Sequence, residues 1–239
     1  VPSVAFSAGR VPPGPSKNPN GVTWGELALL PEYCRDAMGI LYGDQYFNKS
    51  PRADYWVSVV GSGFWSIHHY CYALANVRRA EAAGVDKQRR NFLYQKALGD
   101  YYYTVNNSPA ELPLLPEIYT KMGEAYVRLE DLANAGAAFE RARELKPDYW
   151  PAYARWVDVL LKLNRRIDAA DLALRGLHHA PKSEDLRRRY IAAGGDPARL
   201  NALRDAELKA NREATRIEEK AVPSANRSDT DAAAAKSED

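Results

Sequence analysis

Residues 116–147 read PEIYTKMGEAYVRLEDLANAGAAFERARELKP, and this stretch carries the strongest pattern in the chain. Gly123 and Ala135 remove bulk where two antiparallel helices would touch, and aromatic side chains such as Phe139 would fill the space around that contact. Pro147 would then stop the second helix. The stretch therefore predicts a pair of packed α-helices joined by a short turn.

The same pattern returns after about 34 residues, a period typical of helix-turn-helix repeats. Residues 150–181 read WPAYARWVDVLLKLNRRIDAADLALRGLHHAP, and Pro147 and Pro181 are 34 positions apart. Both units resemble the tetratricopeptide repeat, although Val157 stands where that family usually has glycine and Ala173 where it usually has an aromatic residue. The matching positions are Tyr119, Met122, Gly123, Tyr126, Ala135, Phe139, Ala142 and Pro147 in the first unit, and Tyr153, Trp156, Leu160, Ala169, Ala173, Gly176 and Pro181 in the second.

The resemblance is specific for residues 116–181, partial for 64–109 and absent for 1–60. In the partial stretch the second-helix spacing is present, but the presumed first helix lies about twelve residues too far back. The resemblance implies an all-α fold, a right-handed helical solenoid with an irregular N-terminal region and flexible termini. Its concave face would bind extended peptides or partner helices.

Composition divides the chain into four parts. Residues 1–22 are rich in proline and glycine and are predicted to be an extended or disordered arm. Residues 23–62 are predicted to be an irregular helical region, and 63–221 the repeat domain. Residues 222–239 contain few large apolar side chains and are predicted to be a disordered tail.

The charges of the chain nearly cancel. It has 33 basic and 31 acidic residues and a formal net charge of +2, so no dominant field draws in nucleic acid or anionic lipid. No apolar run approaches the roughly 20 residues that cross a bilayer. We therefore expect no nucleic-acid partner and no membrane span.

Cys34 and Cys71 are the only two cysteines. The chain begins at Val1 without a methionine and without a basic or apolar leader, which indicates a removed signal peptide, although a trimmed chain would look the same. An even pair of cysteines in an exported chain favours one disulfide bond over two buried free thiols. The sequence thus predicts a periplasmic or secreted protein in which Cys34 is bonded to Cys71.

The family resemblance places partner-binding residues on the first helix of each pair. These residues are Glu117, Thr120, Glu124, Val127 and Arg128 in the first unit, and Pro151, Ala154, Asp158, Leu161 and Lys162 in the second. Some family members hold a C-terminal carboxylate with lysine and asparagine side chains. Here Thr120, Glu124, Ala154 and Asp158 occupy those positions, which disfavours a receptor for chaperone tails. An ordinary solvated groove is the alternative interpretation.

The segment SIHHYC at 66–71 brings two histidines close to a cysteine. Together with Cys34, the side chains of His68, His69 and Cys71 could offer nitrogen and sulfur ligands to zinc or copper. On a helix His69 points away from the face shared by the other two, which leaves three ligands at best. No catalytic motif accompanies a possible Cys-His nucleophile, so we predict no metal, no cofactor and no catalytic residue.

Aromatic residues are the remaining clue to function. The chain has fifteen tyrosines and five tryptophans, and runs such as 101–103 cannot all face one helix interior, so some should lie at an interface. The leading hypothesis is a non-catalytic scaffold of the cell envelope or extracellular space that binds a peptide or partner protein. The alternative is a filament or lattice subunit that self-assembles through solenoid stacking and the N-terminal arm. A metal- or thiol-dependent enzyme is a third possibility.

Overall fold

The structure, a computed structural model, describes residues 21–38 and 52–221. These residues form α1 (Trp24–Leu27), α2 (Glu32–Ala37), α3 (Ala53–Val60), α4 (Ile67–Ala80), α5 (Lys87–Asn106), α6 (Leu115–Arg128), α7 (Leu132–Leu145), α8 (Trp150–Lys162), α9 (Arg166–His179), α10 (Glu184–Ala192) and α11 (Pro197–Ala221). A 3-10 helix, Ser62–Trp65, precedes α4. No β-strand occurs in the described ranges, which confirms the all-α prediction. The predicted tail and all but two residues of the predicted arm lie outside them.

The long helices pack in pairs that follow the chain. Helix α4 packs against α5, α6 against α7, and α8 against α9. Only residues 129–131 separate α6 from α7, and 163–165 separate α8 from α9, so each pair is antiparallel. The first helices of successive pairs also touch, α6 with α8 and α8 with α10. These contacts place α6, α8 and α10 in a row.

The repeat is visible in the backbone of the turns inside the pairs. Glu130 and Asn164, which are 34 positions apart, are the two non-glycine residues of the described chain with positive φ, at 65° and 59°. In each turn the amide of the next residue donates to the carbonyl oxygen five positions back, at 3.0 Å and 2.8 Å. Both pairs therefore use the same left-handed helix cap.

We expect Glu130→Gly to raise the free energy of unfolding by about 0.5 to 1 kcal/mol. The left-handed conformation costs a residue with a side chain about 1 to 2 kcal/mol of folding free energy, and glycine avoids this cost. Glycine, however, loses more backbone entropy on folding, which reduces the gain. The ion pair of Glu130 with Lys87, at 3.8 Å and well exposed, adds little. Urea unfolding measures the change. Asn164→Gly should gain less, because asparagine tolerates positive φ; a loss of stability in Glu130→Gly would contradict this explanation.

Two apolar clusters form the body of the molecule. The larger extends from α2 to α7 and has Phe64, Tyr70 and Ile118 at its centre, and the second joins α8, α9 and α10. Between α6 and α7, Gly123 and Phe139 are in closest contact, since a Cβ atom on Gly123 would lie 2.8 Å from the ring. The predicted role of Gly123 at the helix contact therefore agrees with the structure.

The N-terminal segment is fastened to α4. Cys34 and Cys71 lie at disulfide distance, 2.08 Å between sulfurs and 5.5 Å between Cα atoms, as the sequence predicts. The amide of Thr23 donates to Glu26 at 2.8 Å and the amide of Glu26 to Thr23 at 3.3 Å, which is a capping box. Arg79 of α4 donates to the Glu26 carboxylate, at 2.9 Å for one nitrogen, and holds the pKa of Glu26 at about 2.

A buried carboxylate joins α2 to α3. Asp36 is fully buried and accepts hydrogen bonds from Arg52 Nε at 3.1 Å and from Trp56 Nε1 at 2.7 Å. A guanidinium and an indole N–H together compensate a charge that would otherwise be costly to bury. The described part of the predicted irregular region, 23–38 and 52–62, is thus held by specific polar contacts.

Candidate functional site

Two adjoining clefts open along the row of first helices, and we call them together the first-helix groove. Cleft A, of about 380 Å³, lies between α4, α5, α6 and α8. Cleft B, of about 350 Å³, lies between α6, α8 and α10. Lys121, Glu124 and Arg155 line both clefts, so the two are neighbours. Each volume falls in the range of about 300 to 1,000 Å³ that is usual for ligand sites.

Most residues that the sequence assigned to partner binding line this groove. Those in cleft A are Glu124, Val127, Arg128, Asp158 and Lys162, and those in cleft B are Glu117, Thr120, Glu124, Pro151 and Ala154. Leu161 is the exception, because it packs against the second apolar cluster and lines neither cleft. Thr120 and Ala154 are only 3% and 1% exposed, so they shape cleft B without projecting into it.

Ion pairs cross the groove from one first helix to the next. Glu124 of α6 binds Arg155 of α8 at 2.7 Å and also Lys121 at 2.9 Å. Asp158 of α8 binds Arg189 of α10 at 2.8 Å and 3.0 Å. These charged side chains are partly exposed, and they connect the helices as well as line the clefts.

Cleft A retains one basic side chain that has no ion-pair partner among the described residues. Nη2 of Arg128 in α6 lies 3.5 Å from the carboxylate of Glu81, the residue that follows α4. Lys162, by contrast, makes no ion pair within the described ranges, although it lines the same cleft. An acidic group in cleft A would therefore find an uncompensated positive charge.

The floor of cleft A contains a buried hydroxyl group without a partner. Tyr101 is 0% exposed and lines the cleft, and its Oη has no hydrogen-bond partner in the described part of the chain. Burial raises the pKa of Tyr101, and the negative charge of Glu124 raises it further, so the phenol stays protonated and can donate. An unsatisfied buried hydroxyl costs about 1 to 3 kcal/mol. Because the hydroxyl is fully buried, an acceptor in cleft A would reach it only if the side chains around it moved.

Cleft B is the aromatic end of the groove. Tyr149 and Trp150 line it, and Trp150 is 37% exposed. Burial, with the nearby charge of Glu117, raises the pKa of Tyr149 to about 12. Outside the groove, Tyr102 and Tyr103 of α5 are also exposed. Aromatic surface suited to an interface therefore occurs both in the groove and on α5.

The histidines of α4 pack against the rings of Tyr72 and Tyr103. His68 is almost buried, and burial together with the charge of His69 lowers the pKa of His68 to about 4. Nδ1 of His69 lies 2.8 Å from Asp100, and its ring stacks on Tyr103 with centroids 3.7 Å apart. Cys71, bonded to Cys34, offers neither a thiol nucleophile nor a free thiolate in this structure. Within the described ranges no three His, Cys, Asp or Glu side chains converge as metal ligands.

The sequence analysis missed a further cavity, of about 540 Å³, between α7, α8 and α9, which we call the outer cavity. Its lining includes Arg143, Arg175 and His178. Arg175 and His178 are three positions apart on α9, so they share a face, but the presence of Arg143 beside them follows only from how the helices pack. The helical spacing on α9 is thus the only signal that the sequence contains.

No helix in the described residues is both long and apolar enough to cross a bilayer. The likeness of residues 116–181 to the tetratricopeptide repeat rests on the residues quoted for it and remains a resemblance. Compared with known proteins, the chain matches no protein-family model, no curated protein and no solved structure.

Proposed function

We propose that the chain is a non-catalytic scaffold that binds an extended segment of a partner protein along the first-helix groove. The observation that carries the proposal is the groove itself, in which the charge of Lys162 in cleft A lies beside the rings of Tyr149 and Trp150 in cleft B. An extended segment could lie across both clefts, because the two share lining residues. The tetratricopeptide-like pattern of residues 116–181 supports the same use of the groove.

The two clefts favour different side chains of such a segment. Lys162 in cleft A favours an acidic residue, because its charge is not neutralised by an ion pair in the described structure. Tyr149 and Trp150 in cleft B favour an apolar or aromatic residue, since amphipathic rings are preferred contact surfaces. The proposed ligand is thus an extended segment that carries both an acidic and an apolar residue.

A peptide library displayed on phage, selected against the whole chain, tests this proposal. We expect enriched peptides whose affinity falls at least tenfold in Trp150→Ala and in Lys162→Glu. Lys146→Glu is the matched charge control, because Lys146 lies in the turn between α7 and α8 and lines neither cleft. If peptides bind both groove variants as tightly as the wild type, the groove is not the binding site.

A stability measurement tests whether the buried hydroxyl of Tyr101 lacks a hydrogen-bond partner. Removing an unsatisfied hydroxyl by Tyr101→Phe should leave the free energy of unfolding unchanged or raise it by about 1 kcal/mol. Tyr70→Phe is the comparison, because the equally buried Tyr70 donates to Glu117 at 2.6 Å and that hydrogen bond would be lost. Tyr70→Phe should therefore be the less stable of the two variants.

The proposal extends to the compartment and to the alternative function. The Cys34–Cys71 disulfide is compatible with an oxidising compartment, so we place the scaffold in the periplasm or outside the cell. Mass spectrometry of the protein taken from its native cells without reductant would detect the bond, and free thiols would argue against export. The filament alternative remains a prediction, since nearly all of its arm lies outside the described residues, and concentration-dependent polymers in light scattering would favour it.

A further inference from the structure

The outer cavity is separate from the first-helix groove. It lies between α7, α8 and α9 and shares no lining residue with cleft A or cleft B. Gly136 of α7 lets Trp156, which lines the cavity, pack closely against that helix, because a Cβ atom there would lie 3.3 Å from the indole ring. The volume of about 540 Å³ is sufficient for a small organic molecule.

Two guanidinium groups line this cavity without an ion-pair partner among the described residues. Nη1 of Arg143 is buried and has no hydrogen-bond partner among the described residues. Neither Arg143 nor Arg175 forms an ion pair in the described part of the chain. Burial lowers the pKa of Arg143, the charge of Glu140 raises it, and the positive charge of Arg175 lowers it. An anion between the two guanidinium groups would offer acceptors to both and reduce their mutual repulsion.

The guanidinium group of Arg143 packs against the ring of Tyr153. Its Cζ atom lies 5.3 Å from the ring centroid of Tyr153, which is a cation–π distance. His178 lies on the same face of α9 as Arg175 and adds a further donor to the cavity. The donors therefore come from two helices and converge on one space.

The acidic residues of the cavity do not neutralise these guanidinium groups. Asp168 is bound by Arg165 at 2.6 Å, so that carboxylate already has its partner. Asp171 lies one turn before Arg175 on α9, but the two are not within ion-pair distance. The lining thus carries three arginines, Arg143, Arg165 and Arg175, against the two aspartates, and keeps an excess of positive charge.

The remaining wall of the cavity is apolar. It is formed by Trp156, Leu160, Leu172 and Leu174, of which Leu160 and Leu172 are almost fully buried. A bare inorganic anion would leave this wall facing water, whereas an anion with an apolar body would cover it. The wall therefore favours a ligand with two chemically different ends.

We propose that the outer cavity is a binding site for a small organic anion, whose carboxylate or phosphate group lies between Arg143 and Arg175 and whose apolar body lies against Trp156. The site goes beyond the proposed scaffold function and does not depend on it, because the two sites have no residue in common. The two arginines and the indole ring are the residues that determine the chemical class of the ligand.

Isothermal titration calorimetry of the whole chain tests the site with chosen probes. Phenyl phosphate and phenylacetate supply the two head groups, inorganic phosphate lacks the apolar body, and benzyl alcohol lacks the charge. We expect saturable binding of at least one aromatic anion, and binding of inorganic phosphate and benzyl alcohol at least tenfold weaker. The stronger of the two aromatic anions identifies the preferred head group.

Arginine variants locate the binding. Arg143→Met and Arg175→Met should each weaken the aromatic anion at least tenfold, or about 1.4 kcal/mol. Arg155→Met, which removes an arginine of the first-helix groove, should leave its affinity unchanged. Without ligand, Arg143→Met should melt no lower than the wild type because it removes an unpaired buried donor, and the anion should raise the melting temperature of the wild type alone. Unchanged affinity in both cavity variants, or no saturation by either aromatic anion, would overturn the proposal.

Discussion

Breaking the Cys34–Cys71 disulfide is expected to lower the free energy of unfolding by about 3 to 4 kcal/mol. The bond joins residues 37 positions apart, and the loop-entropy model gives a cost of this size for a loop of that length. Both cysteines are fully buried in the small apolar cluster between the N-terminal segment and α4. Loss of the disulfide should therefore mainly weaken the packing of α1 and α2 against α4.

Urea unfolding of the double variant Cys34→Ala/Cys71→Ala measures this loss, and unfolding of the wild type with and without a reductant provides an independent measurement. The reductant should leave the double variant unaffected, because the chain has no other cysteine. Amide hydrogen exchange should show that protection falls in residues 22–38 while α6 to α9 stay protected. A change below about 1 kcal/mol in both experiments would show that the polar contacts hold the segment without the bond.

Gly123→Leu is expected to destabilise the protein by about 3 kcal/mol or more. Already a Cβ atom at this position would lie 2.8 Å from the ring of Phe139, and that ring is completely buried, so it has no free space into which to move. Overpacking of this kind usually costs about 1 to 3 kcal/mol, and leucine adds three further carbon atoms. Thermal and urea unfolding should both show the loss.

Gly99→Leu is the matched control. Gly99 lies in the interior of α5, is exposed, and has no atom within 4 Å of an added Cβ, so leucine should gain up to about 1 kcal/mol of helix propensity. Glu124→Ala, next to Gly123, should cost less than about 1 kcal/mol, because its ion pairs are partly exposed. Similar melting temperatures for Gly123→Leu and Glu124→Ala would contradict the packing described for α6 and α7.

Local signals in the sequence are enough to predict contacts that depend only on neighbouring residues. The capping box of Thr23 and Glu26 forms as its spacing indicates, and α11 begins at Pro197 after Asp196, whose carboxylate accepts from an amide at 2.9 Å. These contacts join residues two or three positions apart. Capping rules describe such contacts well because they involve little of the rest of the fold.

The features that the sequence did not reveal depend on residues far apart in the chain. Asp36 is compensated by Arg52 and Trp56, which are 16 and 20 positions away. The burial of Thr120 and Ala154 could not be predicted for the same reason, since their helical spacing suits a groove but the packing of neighbouring helices covers them. The unpaired Oη of Tyr101 is likewise a property of its whole surroundings, because a hydroxyl lacks a partner only when every adjacent element fails to supply one.

Two contacts attach the N-terminal segment to α4, and different chemical conditions break them. The Cys34–Cys71 disulfide is broken by reduction, whereas the Glu26–Arg79 ion pair is broken by protonation of Glu26. With a folded pKa of about 2 against an ordinary value of 4.5, the Glu26 contact is fully present above pH 4.5 and is lost as the pH falls toward 2. A reducing solution at neutral pH therefore breaks the disulfide but not the ion pair. A mildly acidic, oxidising solution breaks neither contact. Reductant and strong acid together remove both contacts, and the hydrogen bond from Arg79 to the carbonyl oxygen of Gly21 and the apolar packing of Val22 and Leu27 are then what holds the segment.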